Sequence, residues 1–195
     1  MTKILAGLSL IAITSFANAA SVSLEYTGMN AKSQDNNGTS NLNGIGLGIS
    51  SNPTNHGLWA KTQYQHASKN DVDYFDIAGG VQYNFIANDD FYLLGKLGLG
   101  FATASSSALQ NNVNFITLPV GLEAGYSLTQ RFSVYGGLGY KFLWEVTKPT
   151  TCNNGTQSNS TGRGTCSSNG GINHYNDKAG DFNGVTYNVG LRYNF

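Results

Sequence analysis

From Ser21 onward apolar and polar residues alternate, the signature of strands whose successive side chains point to opposite faces. The final stretch shows this plainly: Val185, Tyr187, Val189, Leu191, Tyr193 and Phe195 fall on one face, and Gly184, Thr186, Asn188, Gly190, Arg192 and Asn194 on the other. Two more segments repeat the pattern. Val134, Leu138, Tyr140, Phe142, Trp144 and Val146 oppose Ser133, Gly137, Gly139, Lys141 and Glu145, while Ile116, Leu118, Val120, Leu122, Ala124, Tyr126 and Leu128 oppose Thr117, Gly121, Glu123, Gly125 and Ser127. No convincing helical period competes. The alternation predicts eight strands, near 21–30, 41–50, 57–67, 72–86, 91–104, 113–128, 132–146 and 182–195. The connections at 51–56, 87–90 and 129–131 are short; those at 31–40, 68–71, 105–112 and 147–181 are mostly longer and rich in Asn, Ser, Gly and Thr.

Composition turns this array into a membrane barrel. Charged residues make up 11% of the chain, against roughly 25% in a soluble domain, yet the mean hydropathy of -0.22 is far from that of a helical membrane protein. A transmembrane barrel reconciles the two, because only alternate residues of each strand meet lipid. A soluble, lipocalin-like barrel would turn the apolar face inward, where Leu, Phe, Tyr and Trp would crowd a lumen that eight strands barely leave room to fill. Aromatic residues also gather where bilayer boundaries are expected: Tyr83, Phe85, Phe91, Phe132 and Tyr193 at one end, Phe75, Phe101, Phe142 and Trp144 at the other. The expected fold is therefore all-β, an eight-stranded antiparallel transmembrane β-barrel of the bacterial outer membrane, with no linker and no second domain. Eleven basic and eleven acidic residues cancel, so the basic footprint of a nucleic-acid partner is missing. The glycine runs at Gly44 to Gly48, Gly95 to Gly100 and Gly136 to Gly139 precede no predicted helix, which a nucleotide-binding loop requires.

The N-terminus reads as a secretory signal peptide over residues 1–19, with Lys3 as its positive start, Ile4 to Phe16 as its apolar stretch and Ala17-Asn18-Ala19 as its cleavage site. The mature barrel then covers 20–195. The apolar run falls short of the roughly 20 residues a spanning helix needs. Export to an oxidising compartment makes Cys152 and Cys166 a disulfide candidate inside the long loop 147–181. No metal is expected, since His174 is the one obvious further ligand nearby and a structural zinc site wants about four.

These features resemble the small OmpA/OmpX-type and opacity-like outer-membrane barrels over essentially the whole mature length. The terminal Leu191-Arg192-Tyr193-Asn194-Phe195 is similar to that family's assembly signal, with Leu191, Tyr193 and Phe195 on one face. The resemblance implies a porin-like barrel that contacts outer-membrane lipid and lipopolysaccharide and is inserted by the barrel-assembly machinery. It further implies extracellular loops, a periplasmic N-terminus, no cofactor and a structural or surface-interaction role toward host or cell-surface ligands. The long Cys-bearing last loop departs from the family, and no peptidoglycan-binding domain is expected after the barrel.

Turning the polar face inward places Glu25, Asp76, Glu123 and Glu145 in the lumen with Lys61, Lys96, Lys141 and Arg192. A paired network bracing adjacent strands and plugging the lumen is expected, because an unpaired confined charge is costly. The alternative is a narrow ion or small-solute channel. A third reading, lipid A modification, rests on His66-Ala67-Ser68, which superficially resembles the His-x-Ser pair of a lipid A deacylase family. A serine nucleophile there needs the histidine as base and a carboxylate to orient it; Asp71 and Asp73 are near in sequence but are not expected in register, so no enzymatic activity is predicted. His56 and His174 read as solvated loop residues, and the sequons at Asn37, Asn154 and Asn159 as loop composition.

Overall fold

The computed structural model describes residues 21–33, 39–68, 71–88, 90–106, 112–147, 150–158, 164–175 and 180–195. The residues read as a signal peptide and two of the sequons, at Asn37 and Asn159, lie outside them. Eight long strands close into one antiparallel barrel: β1 (Ser21–Ser33), β2 (Thr39–Ser50), β3 (Gly57–Ala67), β4 (Val72–Ala87), β5 (Phe91–Ser106), β6 (Val113–Ser127), β7 (Phe132–Glu145) and β11 (Phe182–Asn194). Each pairs with its neighbours in sequence, and β1 pairs with β11 from Ser21↔Asn194 to Ser33↔Phe182, so no edge is left open. The predicted strands match these within a few residues. Three short strands went unpredicted. β8 (Thr150–Cys152), β9 (Gln157–Ser158) and β10 (Ile172–Tyr175) form a separate sheet inside the last loop.

The two faces of the wall are inverted relative to a soluble protein. Outward side chains are bulky and apolar, with Ile45, Leu99 and Leu138 at 60%, 64% and 68% exposure, while the charged Asp76, Arg192 and Lys141 are 0%, 2% and 3% exposed. Lipid is the surrounding that makes such an exterior favourable, and closure pairs the backbone groups that lipid cannot satisfy. Both expected aromatic belts lie on the outer surface. At the end of the short turns Phe132 meets Tyr193 and Tyr193 meets Phe195 at ring distances of 5.1 and 5.2 Å; at the loop end Tyr140, Phe142 and Trp144 run in contact.

The turn end is well tied down. Asn52 Oδ1 accepts the amide and hydroxyl of Thr54, and Asn84 donates to the Pro53 carbonyl at 2.6 Å. A bulge shifts the β4–β5 register between Asn84 and Ile86. Beside it the Asn84 amide donates to Nδ1 of His56, whose ring stacks on Tyr83 at 4.2 Å. His56, expected as a solvated turn residue, is thus a bracket between the turn and β4. His174 is exposed on β10, as expected of a loop residue.

Candidate functional site

Alternation along the strands carries every charged residue of the predicted network to the inner wall. Four ion pairs join seven of them. Glu25 meets Lys61 at 2.8 Å, Asp76 meets Lys141 at 3.2 Å, and Glu123 binds both Lys96 and Arg192, the latter at 2.6 Å. The expectation that pairing braces adjacent strands needs correcting. Only Lys96–Glu123 joins neighbours, β5 and β6; Glu25–Lys61 and Arg192–Glu123 each skip one strand, and Asp76–Lys141 reaches from β4 to β7 across two. The network is strung through the lumen rather than along the wall, because in a barrel this narrow opposite inner faces are within side-chain reach. Glu145 plays a different part. Its Oε2 accepts the Gly180 amide at 2.7 Å and its own amide donates to Asp181, so it fastens the return of the long loop onto β7.

The inner wall also holds aromatic residues that the polar-face reading missed. Tyr135 and Asn188 both donate to Glu25 Oε2, at 2.9 and 2.6 Å. Arg192 donates to the Tyr92 hydroxyl at 2.7 Å, with its guanidinium 5.5 Å from the Tyr92 ring and 4.6 Å from the Tyr135 ring. Tyr74 donates to Asp76, and Trp59 to the Val81 carbonyl. Glycines make room for three of these rings: a Cβ at Gly125 would lie 2.1 Å from the Tyr92 ring, one at Gly98 2.5 Å from that of Trp59, and one at Gly190 2.7 Å from that of Tyr135. The signal was in the strand parity, since Tyr92 and Tyr135 share the phase of the inward charges.

Apolar side chains flank this charged middle. Toward the loops Met29, Leu42, Ala67, Val113, Phe115 and Leu143 pack into one buried cluster, with Phe182 edge-on to Phe115 at 5.8 Å. Toward the turns Tyr92, Leu94 and Tyr135 form a second. Below the first cluster, and lined in part by Tyr135 of the second, lies a cavity of about 90 Å³ whose wall also includes Trp59, Lys61, Lys96 and Arg192. Among the described residues no group of His, Cys, Asp and Glu is arranged to hold a metal ion.

Outside the barrel, His66 and Asp73 face each other across β3 and β4, and His66 Nδ1 lies 3.0 Å from Asp73 Oδ1. The expectation that no carboxylate comes into register with His66 is corrected. Tyr64 donates to the same oxygen, so the carboxylate is shared between two ring partners at the outer rim of the wall.

The described parts of the last loop, 150–158 and 164–175, are structured. Cys152 and Cys166 are bonded, their Cα atoms 5.4 Å apart, as expected from the sequence. Cys152 ends β8, and its amide takes the Thr156 carbonyl at 2.8 Å, turning the chain into β9. Cys166 has a positive φ of 60° and opens a short 3₁₀ turn, Ser167–Asn169, after which Gly170 and Gly171 also adopt positive φ. That conformation suits glycine, and it lets the Gly171 amide return to the Cys166 carbonyl before β10 pairs with β8.

A closed eight-stranded antiparallel barrel with an apolar exterior and a charged interior is the fold of the small outer-membrane barrels. Among solved structures it is similar to Neisserial surface protein A, at 15% identity over 90% of this chain and 96% of that one, with a TM-score of 0.58. The attachment invasion locus protein Ail of Yersinia pestis overlaps at 17% identity, 90% and 97% coverage and a TM-score of 0.49. A major outer membrane protein of Thermus thermophilus overlaps at 14%, 91% and 100%, with a TM-score of 0.47. No protein-family model and no curated protein matches the sequence.

Proposed function

We propose that the chain is an exported barrel of the outer membrane, freed of residues 1–19, that displays the stapled segment Thr150–Tyr175 outside the cell as a surface-interaction element. In this reading the turns are periplasmic, lipid and lipopolysaccharide surround the belt, and the assembly machinery reads Leu191, Tyr193 and Phe195. A host or cell-surface ligand is met by the loops, and the protein does no chemistry. One observation carries it. A disulfide and a three-stranded sheet tie together the described parts of a loop that lies outside the closed barrel. Closing about 15 residues restricts the chain by roughly 3 kcal/mol in the entropic model, and that restriction acts on the shape of the loop. Ordered loops on a rigid scaffold are common sites of binding.

The test is a Cys152→Ser/Cys166→Ser variant on intact cells. Its barrel is expected to keep the wild-type unfolding midpoint in detergent, while adherence of the cells to a host-cell layer falls. Wild-type adherence with a proteolytically loosened loop would remove the role assigned to the staple.

The charged cavity favours a second reading, a narrow channel. The apolar cluster that covers the lumen toward the loops argues for a closed lumen instead. The refolded protein is accordingly expected to be silent in a planar bilayer. Reproducible conductance steps would transfer the function to the lumen.

A further inference from the structure

We infer that the lumen cavity is a binding site for one small monovalent anion, of halide size, beside Lys96 and Arg192. The site lies in the lumen and is independent of whatever the loops bind. Its basis is the charge count on the cavity wall. Lys61 is neutralised by Glu25 and Lys141 by Asp76, but Lys96 and Arg192 share the single carboxylate of Glu123. All seven groups line the cavity; Glu145 does not, being engaged with the Gly180 amide toward the loops. The wall therefore carries one more positive than negative charge.

Surroundings make that excess expensive. An apolar cluster covers the lumen toward the loops, and Asp76, Glu123, Lys141 and Arg192 on the cavity wall are all buried, so bulk water screens them poorly. Arg192 is 2% exposed and its Nε has no hydrogen-bond partner, leaving an unused donor at the crowded end of the network. Lys96 and Lys61 retain 22% and 26% side-chain exposure and line the same space. A volume of about 90 Å³ is several times the roughly 10–15 Å³ that one water requires. It admits a halide with a water or two, and it excludes a bulky organic anion.

The full mature barrel, folded in detergent, is compared in sodium chloride and sodium gluconate at equal ionic strength. The unfolding midpoint is expected to be higher in chloride and to saturate as chloride rises. Lys96→Met brings the wall to three charges of each sign, with Arg192 still paired to Glu123, and is expected to abolish the difference; Lys32→Met, on an exposed residue, is expected to retain it. Equal midpoints in the two salts for wild type, or a difference that survives Lys96→Met, would overturn the proposal. Crystals grown in bromide give a reading that needs no variant. Anomalous density in the cavity supports the site, and its absence refutes it.

Discussion

Replacing Glu123 with alanine is expected to be the most damaging single change in the lumen. It leaves Lys96 and Arg192 together without a carboxylate, Arg192 almost wholly buried. Removing one partner of a buried ion pair costs about 3–5 kcal/mol, because the charge left behind has lost its compensation. Adding Lys96→Met to that variant removes one of the two stranded cations and is expected to restore part of the loss. The measurement is the urea midpoint in detergent micelles, followed by tryptophan fluorescence. A midpoint unmoved by Glu123→Ala would mean that water in the lumen already solvates these charges, and the closed network would lose its main support.

The second large effect is steric. Gly44 lies inward on β2, opposite Gln65 in the β2–β3 register. A Cβ built there would sit 1.8 Å from the Tyr64 carbonyl oxygen and 2.7 Å from the Gln65 Cα, both backbone atoms that cannot swing aside. Gly44→Val must therefore push β3 away from β2. Overpacking costs about 1–3 kcal/mol where neighbours can adjust, and more is expected here because closure fixes the strand spacing all round. The variant is expected to lose the compact, heat-sensitive band that folded barrels show on gels. Gly136→Ala is the control, since its Cβ would meet only the Asn188 carbonyl, at 3.7 Å. A folded Gly44→Val would show that the wall tolerates a local bulge.

The strands were legible in the sequence because lipid imposes a strict rule on one face. Val185 to Phe195 had to alternate, and their ends followed from the polar loops. The inner face obeys no such rule. Met29, Leu42, Phe115 and Leu143 share the parity of the inward residues, so counting phase rather than polarity would have found the apolar cluster near the loops. Which acid meets which base was not legible, because partners such as Asp76 and Lys141 are brought together by the stagger of a closed sheet. The His66–Asp73 pairing was missed for a related reason: it depends on the register between β3 and β4, which alternation alone does not fix. In the last loop the cysteines announced the staple, but β8, β9 and β10 are too short to show a period.

The pairing of Ser21 with Asn194 makes closure of the wall depend on both ends of the described chain. The hairpins from β1 to β7 are local, whereas the β1–β11 seam unites the two ends of the described chain and is the most remote contact in the fold. Until the last strand arrives, β1 and β7 each present an unpaired row of backbone groups, which neither lipid nor an apolar neighbour can satisfy. Premature termination within β11 would therefore yield an open ribbon with two adhesive margins instead of a slightly smaller barrel. The β1–β11 seam is therefore where an unfinished wall differs most from a finished one.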